Sequence, residues 1–159
     1  MIDYGKIGEY RESDRLEAKL ALGGLPESIW ETYSAFANTL GGVILLGVEE
    51  YPDRSLHPVD LPYPHEMIDE FLTQLNDGKR ANENILSPED ITIREIDGKN
   101  FISIRVPQAP LWMKPVYIGR DAAVGSYYRY GDGDYRFSPE EVRAMQQIAE
   151  KIRPVCSGK

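Results

Sequence analysis

A continuous apolar run, VILLGV at residues 43–48, constrains the fold of this chain more than any other segment. Such an uninterrupted run is typical of a strand that is covered on both of its faces. Before it, apolar residues recur at helical spacing, at Ile29, Tyr33, Phe36, Ala37 and Leu40. Gly41 and Gly42 separate the two patterns and stop the helix. The sequence therefore predicts a helix from Pro26 to Thr39, a tight glycine turn and a central buried strand.

Other segments predict further strands. LEAKLAL at residues 16–22 alternates apolar and polar residues at its start, which is typical of a strand. ITIREIDGKNFISIRV at residues 91–106 predicts a hairpin, because Asp97-Gly98 is a strong two-residue turn signal. Two further short strands are predicted at VYI, residues 116–118, and SYYRY, residues 126–130.

Two more helices complete the predicted fold. Residues 67–75 are amphipathic, and Ser138 opens a capping box with proline at the first helical position. The polar residues 1–15 are expected to form a short turn or helix. We predict an α+β (mixed α/β) domain over residues 1–153, with a mixed sheet of about five or six strands and three main helices. Residues 154–159 are predicted to be a tail or linker.

The composition limits the function classes. The chain has 18 basic and 26 acidic residues, a net charge of −8, which disfavours a general nucleic-acid binder but leaves room for a local basic groove. No apolar run approaches the ~18 residues that a membrane span needs, and the N-terminal residues have no apolar signal core. Cys156 is the single cysteine, so an internal disulfide is impossible. A cytoplasmic location is the expectation.

The stretch ESDRLEAK at residues 12–19 places Glu12, Glu17 and Lys19 where the first strand begins. Clustered carboxylates are suitable ligands for Mg²⁺ or Mn²⁺, and a nearby lysine can steady a phosphate. The alternative is a solvated strand entrance with Glu17 and Lys19 side by side, because the side-chain period of a strand is two.

The Gly41-Gly42 pair has two interpretations. Its backbone N–H groups can approach an anion, or it is only the helix stop. Asn38 either caps the helix end or faces a ligand. No Gly-Lys-Ser/Thr follows, so the pair is not a Walker loop.

Arg129 is the candidate phosphate contact near the C-terminal end, and the alternative is an ion pair with Asp132 or Asp134. Neighbouring tyrosines, of which Tyr128 is the chosen candidate, can stack on nucleobases, although about half of them must face the core in a strand. His57 and His65 share no ligand spacing with a cysteine, so a zinc site is not predicted.

Three stretches together resemble the Schlafen AlbA-type domain, formerly described as a divergent AAA ATP-binding domain. They are ESDRLEAK, SAFANTLGGVILLGVEE and YYRYGDGDYRFSPEEV, in that order. The resemblance implies a DNA-binding module of the kind joined to transcriptional regulators in bacteria, for which ATP binding was once inferred. Animal members are metal-dependent endoribonucleases with three carboxylates, and these match Glu12, Glu17 and Glu50.

The sequence departs from the nuclease branch of that family at Glu49-Glu50, where that branch has two aspartates. In addition, Asp132 and Asp134 would repel a phosphate.

Our first hypothesis is a DNA-binding domain of a bacterial transcriptional-regulator-like protein. A metal-dependent endoribonuclease, with Mg²⁺ or Mn²⁺ at the three glutamates, is second, and an ATP-binding module is third. DNA or RNA is the expected partner, bound weakly by this fragment, while a homodimer and a further C-terminal domain stay open. The residues expected to contact nucleic acid are Lys19, Asn38, Gly41, Gly42, Tyr128 and Arg129.

Overall fold

The apolar run forms the centre of a four-stranded sheet in the computed structural model, which describes residues 2–154. β2 (Gly42–Leu46) pairs in parallel with β1 (Leu16–Lys19), which is one edge of the sheet. On its other side β2 pairs antiparallel with β6 (Lys99–Val106), and β5 (Ile91–Ile96) is the far edge. The apolar run therefore forms a central strand, as predicted.

Two small antiparallel ribbons accompany the sheet. One joins β3 (Val48–Glu50) to β4 (Leu56–Pro58), and the other joins β7 (Tyr127–Tyr130) to β8 (Gly133–Arg136). The α-helices are α1 (Ile29–Asn38), α2 (Pro64–Asn76), α3 (Ala122–Gly125) and α4 (Pro139–Ile152). Short 3₁₀ helices lie at Tyr4–Glu9, Pro88–Asp90 and Leu111–Met113.

Both faces of the central strand are covered, which explains why its sequence is apolar throughout. Ile44 and Leu46 point into a cluster that includes Phe36 of α1 and Phe71 of α2. Leu45 points to the opposite face, into a cluster with Ile7 of the N-terminal 3₁₀ helix, Leu56 and Phe101. The two clusters hold the sheet between α1 and α2 on one side and the N-terminal residues on the other.

The predicted α+β class is confirmed, and several local predictions hold. The hairpin at residues 91–106 turns at Asp97 and Gly98, whose φ angles of 53° and 78° suit a type I′ turn. Ser138 and Glu141 form the capping box of α4, with Glu141 N–H donating to Ser138 Oγ at 3.1 Å and Ser138 N–H to Glu141 Oε1 at 2.8 Å.

Other details differ from the prediction. The strands divide into one four-stranded sheet and two ribbons instead of one sheet of about five or six. Residues 116–118 make only isolated bridges. β8 was not predicted, because GDYR has no apolar alternation. The first strand ends at Lys19, since Ala21 adopts a φ of 59° that a strand cannot accommodate.

Part of the predicted tail, residues 155–159 with Cys156, lies outside the described residues. Among residues 2–154, no helix is both long and apolar enough to cross a bilayer.

Replacement of Gly42 by alanine should destabilise the domain. A Cβ at this position would lie 2.9 Å from the backbone oxygen of Arg15 and 2.9 Å from the ring of Phe36. Overpacking of this kind costs about 1–3 kcal/mol. Urea unfolding of Gly42→Ala should show that loss in the free energy of unfolding. The matched control is Gly23→Ala, since a Cβ there meets nothing within 4 Å. Equal stabilities of the two variants would show that the approach of β2 to Arg15 and Phe36 is not tight.

Candidate functional site

Glu12 closes the open edge of β1. Its Oε2 accepts the backbone N–H of Ala18 at 3.0 Å, on the edge of the strand that β2 does not occupy. On the same edge, the backbone oxygen of Leu16 accepts the N–H of Ser13 at 2.9 Å and Arg129 Nη2 at 3.1 Å. The ESDRLEAK stretch therefore folds back so that a carboxylate and a guanidinium complete the hydrogen bonding of its strand.

Glu17 and Lys19 lie on one face of β1, as the strand period predicts. Lys19 Nζ is 3.6 Å from Glu17 Oε2 and donates to Ser28 Oγ at 3.0 Å. Glu17 Oε1 accepts a hydrogen bond from Arg129 Nη2 at 2.9 Å. Each oxygen of the Glu17 carboxylate is thus matched to a cation, and the carboxylate is largely buried.

Arg129 lies inside the protein, and its side chain is 0 % exposed. Its Nη1 donates to Asp134 Oδ1 at 2.8 Å, its Nε and Nη2 donate to the backbone oxygen of Ser13 at 3.0 and 2.8 Å, and its guanidinium lies 4.9 Å from the ring centre of Phe36. Burial lowers the pKa of Arg129, but Asp134 and Glu17 outweigh it and the pKa is raised overall. The ion pair considered as the alternative to a phosphate contact is the one that the structure forms.

The two aspartates of the β7–β8 ribbon have separate partners. Asp134 also accepts Thr32 Oγ1 at 2.7 Å, which links the ribbon to α1. Asp132 faces Arg54 at 3.5 Å in an exposed ion pair. Together with Glu12 and Asp14, Arg54 and Asp132 line a shallow cleft of about 480 Å³ that is rich in acids.

Glu50 lies on β3 and is exposed, close enough for its charge to act on Glu12. Burial, with the negative charges of Glu17 and Glu50, raises the pKa of Glu12 to about 7, although the N–H of Ala18 lowers it. The structure therefore brings the three predicted carboxylates into electrostatic contact, and Glu12 titrates near neutral pH.

A metal at these carboxylates has the right donor chemistry, because oxygen ligands suit Mg²⁺ and Mn²⁺. The positions of the three carboxylates are less suitable for a metal ion. Within residues 2–154, no three His, Cys, Asp or Glu side chains are placed so that they could hold a metal ion together. Lys19 and Arg129 already neutralise Glu17. In this arrangement the three glutamates do not fit a resident divalent ion.

Asn38 is 6 % exposed and joins α1 to two later segments. Its Nδ2 donates to the backbone oxygens of Val116 at 2.8 Å and Tyr127 at 3.0 Å, and its Oδ1 accepts the N–H of Val116 at 2.8 Å. Its amide group is therefore occupied by the protein's own backbone instead of facing a ligand.

Gly41 and Gly42 allow close packing of the backbone. A Cβ at Gly41 would lie 2.8 Å from the backbone oxygen of Val106, and the N–H of Gly41 donates to the oxygen of Phe36 at 2.8 Å. Tyr128 is half-buried on β7, with its ring centre 5.0 Å from that of Phe137 and 5.8 Å from that of Tyr135.

A basic groove that the sequence analysis did not predict lies on the sheet face opposite α1. It has a volume of about 730 Å³ and contains Arg94 of β5 and Arg105 of β6, together with Arg15. Arg94 lies 4.2 Å from the ring centre of Tyr4, whose hydroxyl is 2.7 Å from Ser103 Oγ. The signal in the sequence was the period-two row of polar residues in the hairpin, at Thr92, Arg94, Ser103 and Arg105.

The acids of the groove are Glu89 and Asp90, and Asp90 accepts Arg105 Nε at 3.0 Å. The Arg105 side chain is still 66 % exposed. Gly41 and Gly42 also line the groove. Of the predicted nucleic-acid contacts, these two glycines border the groove, whereas Lys19 and Arg129 belong to the carboxylate network.

The family model described as Schlafen, AlbA_2 matches residues 12–138. That match covers most of the 159 residues, and the chain belongs to the Schlafen AlbA_2 family. The resemblance seen in the three motifs is thereby confirmed.

Two solved structures have a similar fold. The fold is similar to the N-terminal domain of a protein from Nitrosomonas europaea described as related to the ATP-dependent DNA helicase RecG, with 27% identity and a TM-score of 0.54 over 77% of this chain and 81% of that chain. It is also similar to a protein from Corynebacterium diphtheriae, with 17% identity and a TM-score of 0.51 over 84% of this chain and 23% of that chain, a likeness in fold alone. A comparison with curated proteins found no match.

Replacement of Glu12 by glutamine should change how stability depends on pH. Because the folded-state pKa is raised, the folded protein holds a proton that the unfolded chain releases, so the wild type loses stability as the pH rises from about 4.5 to 7. The amide of the variant would keep an acceptor for the N–H of Ala18 without the charge. Urea unfolding at pH 5 and pH 8 should show a loss on the order of 1 kcal/mol in the wild type that Glu12→Gln does not show, after allowance for solvent screening.

The control for this experiment is the exposed Glu9→Gln. It should keep the wild-type difference between the two pH values. If Glu12→Gln also keeps that difference, the carboxylate of Glu12 is not the group that titrates near pH 7.

Proposed function

We propose that this chain is a nucleic-acid-binding domain, with DNA as the favoured ligand, that serves a transcriptional-regulator-like protein. Membership of the Schlafen AlbA_2 family is the observation that carries the proposal. The similar N-terminal domain of the RecG-related protein supports it, because that protein is described as related to an ATP-dependent DNA helicase.

The basic groove is the surface that we assign to the nucleic acid. Its arginines are solvent-exposed. The guanidinium of Arg94 stacks on the ring of Tyr4, so its other face can stack on a nucleobase. The alternative surface, the cleft beside Glu12, presents acids that repel phosphates. Arg129 cannot leave the interior without breaking its bonds to Asp134 and Glu17, so it is not assigned a contact.

Binding should be weak and strongly dependent on salt. The net charge of the chain is −8, and the groove offers three arginines. About 2–3 phosphate contacts predict a slope of log K against log salt near −0.9 for each contact.

Loss of either groove arginine should weaken binding and flatten the salt dependence. Arg94→Gln and Arg105→Gln should each reduce the slope by about one contact, as measured by fluorescence anisotropy with a labelled oligonucleotide from low to moderate salt. Arg80→Gln removes an exposed arginine that pairs with Glu27 outside the groove, and it is the matched control. If Arg80→Gln weakens binding as much as the groove variants do, the loss of binding results from the change in net charge, and the groove is not the binding surface.

A metal-dependent endoribonuclease is the second candidate. The observation in its favour is the raised pKa of Glu12 beside Glu17 and Glu50, because a carboxyl group that titrates near pH 7 suits acid–base work. The ion pairs of Glu17 disfavour the nuclease, because a metal cation would have to displace Lys19 from the Glu17 carboxylate.

Calorimetry with Mn²⁺ decides between the two candidates. Because Lys19 and Arg129 compensate Glu17, we expect wild type and Glu17→Gln alike to bind Mn²⁺ no more tightly than millimolar, and labelled tRNA to stay intact with the wild type. Micromolar binding that is lost in Glu17→Gln, together with cleavage that requires the metal, would contradict this expectation and favour the nuclease.

A further inference from the structure

Lys114 is largely buried but not sealed from solvent, and its ammonium group has no counterion among residues 2–154. The residue is 9 % exposed, and within residues 2–154 its ammonium group makes no ion pair and no hydrogen bond, although its backbone N–H donates to the oxygen of Leu111. Arg129, whose guanidinium is fully buried, pairs with both Glu17 and Asp134. A charge removed from water is costly unless a partner compensates it, and Arg129 has such partners whereas Lys114 has none.

Lys114 lines a cavity of about 730 Å³ between α4 and the segment at residues 111–117. Arg143 and Arg153 of the same cavity also make no ion pair among the described residues. Two acids, Glu83 and Glu150, line it as well. Three cations against two acids give this cavity a positive balance in a chain whose net charge is −8.

The other walls suit a small polar ligand with an aromatic part. Gln146 and Gln147 bring amide donors from α4, and Trp112 and Tyr117 bring aromatic rings. The volume lies within the range of cavities that bind small molecules and cofactors.

We propose that this cavity binds a phosphate group at Lys114, with Arg143 and Arg153 supplying further positive charge along the wall formed by α4. Cationic donors, among them the forked guanidinium of arginine, match the several oxygens of a phosphate better than the two of a carboxylate. Either a free nucleotide or a nucleic-acid strand carries this group. The site lies apart from the basic groove, shares no lining residue with it, and does not depend on the groove binding nucleic acid.

The charge state of Lys114 gives a second reason. Burial lowers the pKa of Lys114, because it disfavours the charged ammonium form. A bound phosphate would stabilise that form and raise the pKa again. Binding should therefore become weaker at alkaline pH, where Lys114 loses its proton while a phosphate monoester stays a dianion.

Calorimetry on the whole chain with inorganic phosphate, with AMP and with a single-stranded oligonucleotide tests the proposal. Lys114→Met should weaken binding about tenfold or more, as expected for a charge-assisted hydrogen bond. Lys99→Met removes the same charge from an exposed hairpin position and should bind as the wild type does. Lys114→Arg should bind as the wild type does and should abolish the loss of binding at alkaline pH, because arginine stays charged.

Binding of phosphate or AMP that needs Lys114 identifies a free phosphate compound as the ligand. Binding of the oligonucleotide alone, with the same dependence on Lys114, identifies a nucleic-acid backbone. If Lys114→Met does not fold, the exposed Arg143→Gln takes its place, with the same loss expected. The proposal is overturned if none of the three ligands binds, or if Lys114→Met binds them as tightly as Lys99→Met does. Loss of oligonucleotide binding in Arg94→Gln with phosphate binding intact would separate this site from the groove.

Discussion

The rest of the structure depends on the hydrogen bonds that the buried guanidinium of Arg129 makes. It bonds to the turn at Ser13, to the edge of β1 and to Asp134 of β8, while Phe36 of α1 covers it. Loss of one partner from a buried ion pair leaves an uncompensated charge, which typically costs about 3–5 kcal/mol. The spacing of the carboxylates at β1 is therefore set by a residue more than a hundred positions later in the chain, and the ribbon of β7 and β8 is part of the site's foundation.

Local patterns in the sequence were enough for the main elements. The apolar run predicted β2, Asp97-Gly98 predicted the hairpin, and Ser138 predicted the start of α4. Each of these signals lies within a few residues of the element that it specifies. The proximity of Glu12 and Glu17 to Glu50 came from the family resemblance, and the shared face of Glu17 and Lys19 came from the strand period.

Long-range polar contacts could not be predicted in this way. The partners of Asn38 are 78 and 89 residues away, so the sequence indicated only helix capping or a ligand contact for its amide. Arg129 had two balanced interpretations, a phosphate contact and an ion pair with Asp132 or Asp134. Its further partners, Ser13 and Glu17, lie more than a hundred residues earlier in the chain and gave no local signal. The overall charge of −8 did not indicate the basic groove. The electrostatic field at a protein surface depends on the local arrangement of charges and not on their sum.

The distance along the chain between Arg129 and Ser13, 116 residues, also determines how the domain is assembled. Contacts between positions so far apart raise the contact order, and high contact order slows folding because a large loop must close before the contact forms. During synthesis, β1 and the turn that carries Glu12 and Ser13 emerge from the ribosome before Arg129, so the outer edge of β1 lacks its guanidinium partner until β7 follows. An incompletely bonded strand edge is a site for wrong pairing between chains. The β1 strand is short and charged, with Glu17 and Lys19 alternating with Leu16 and Ala18, and both properties disfavour such pairing.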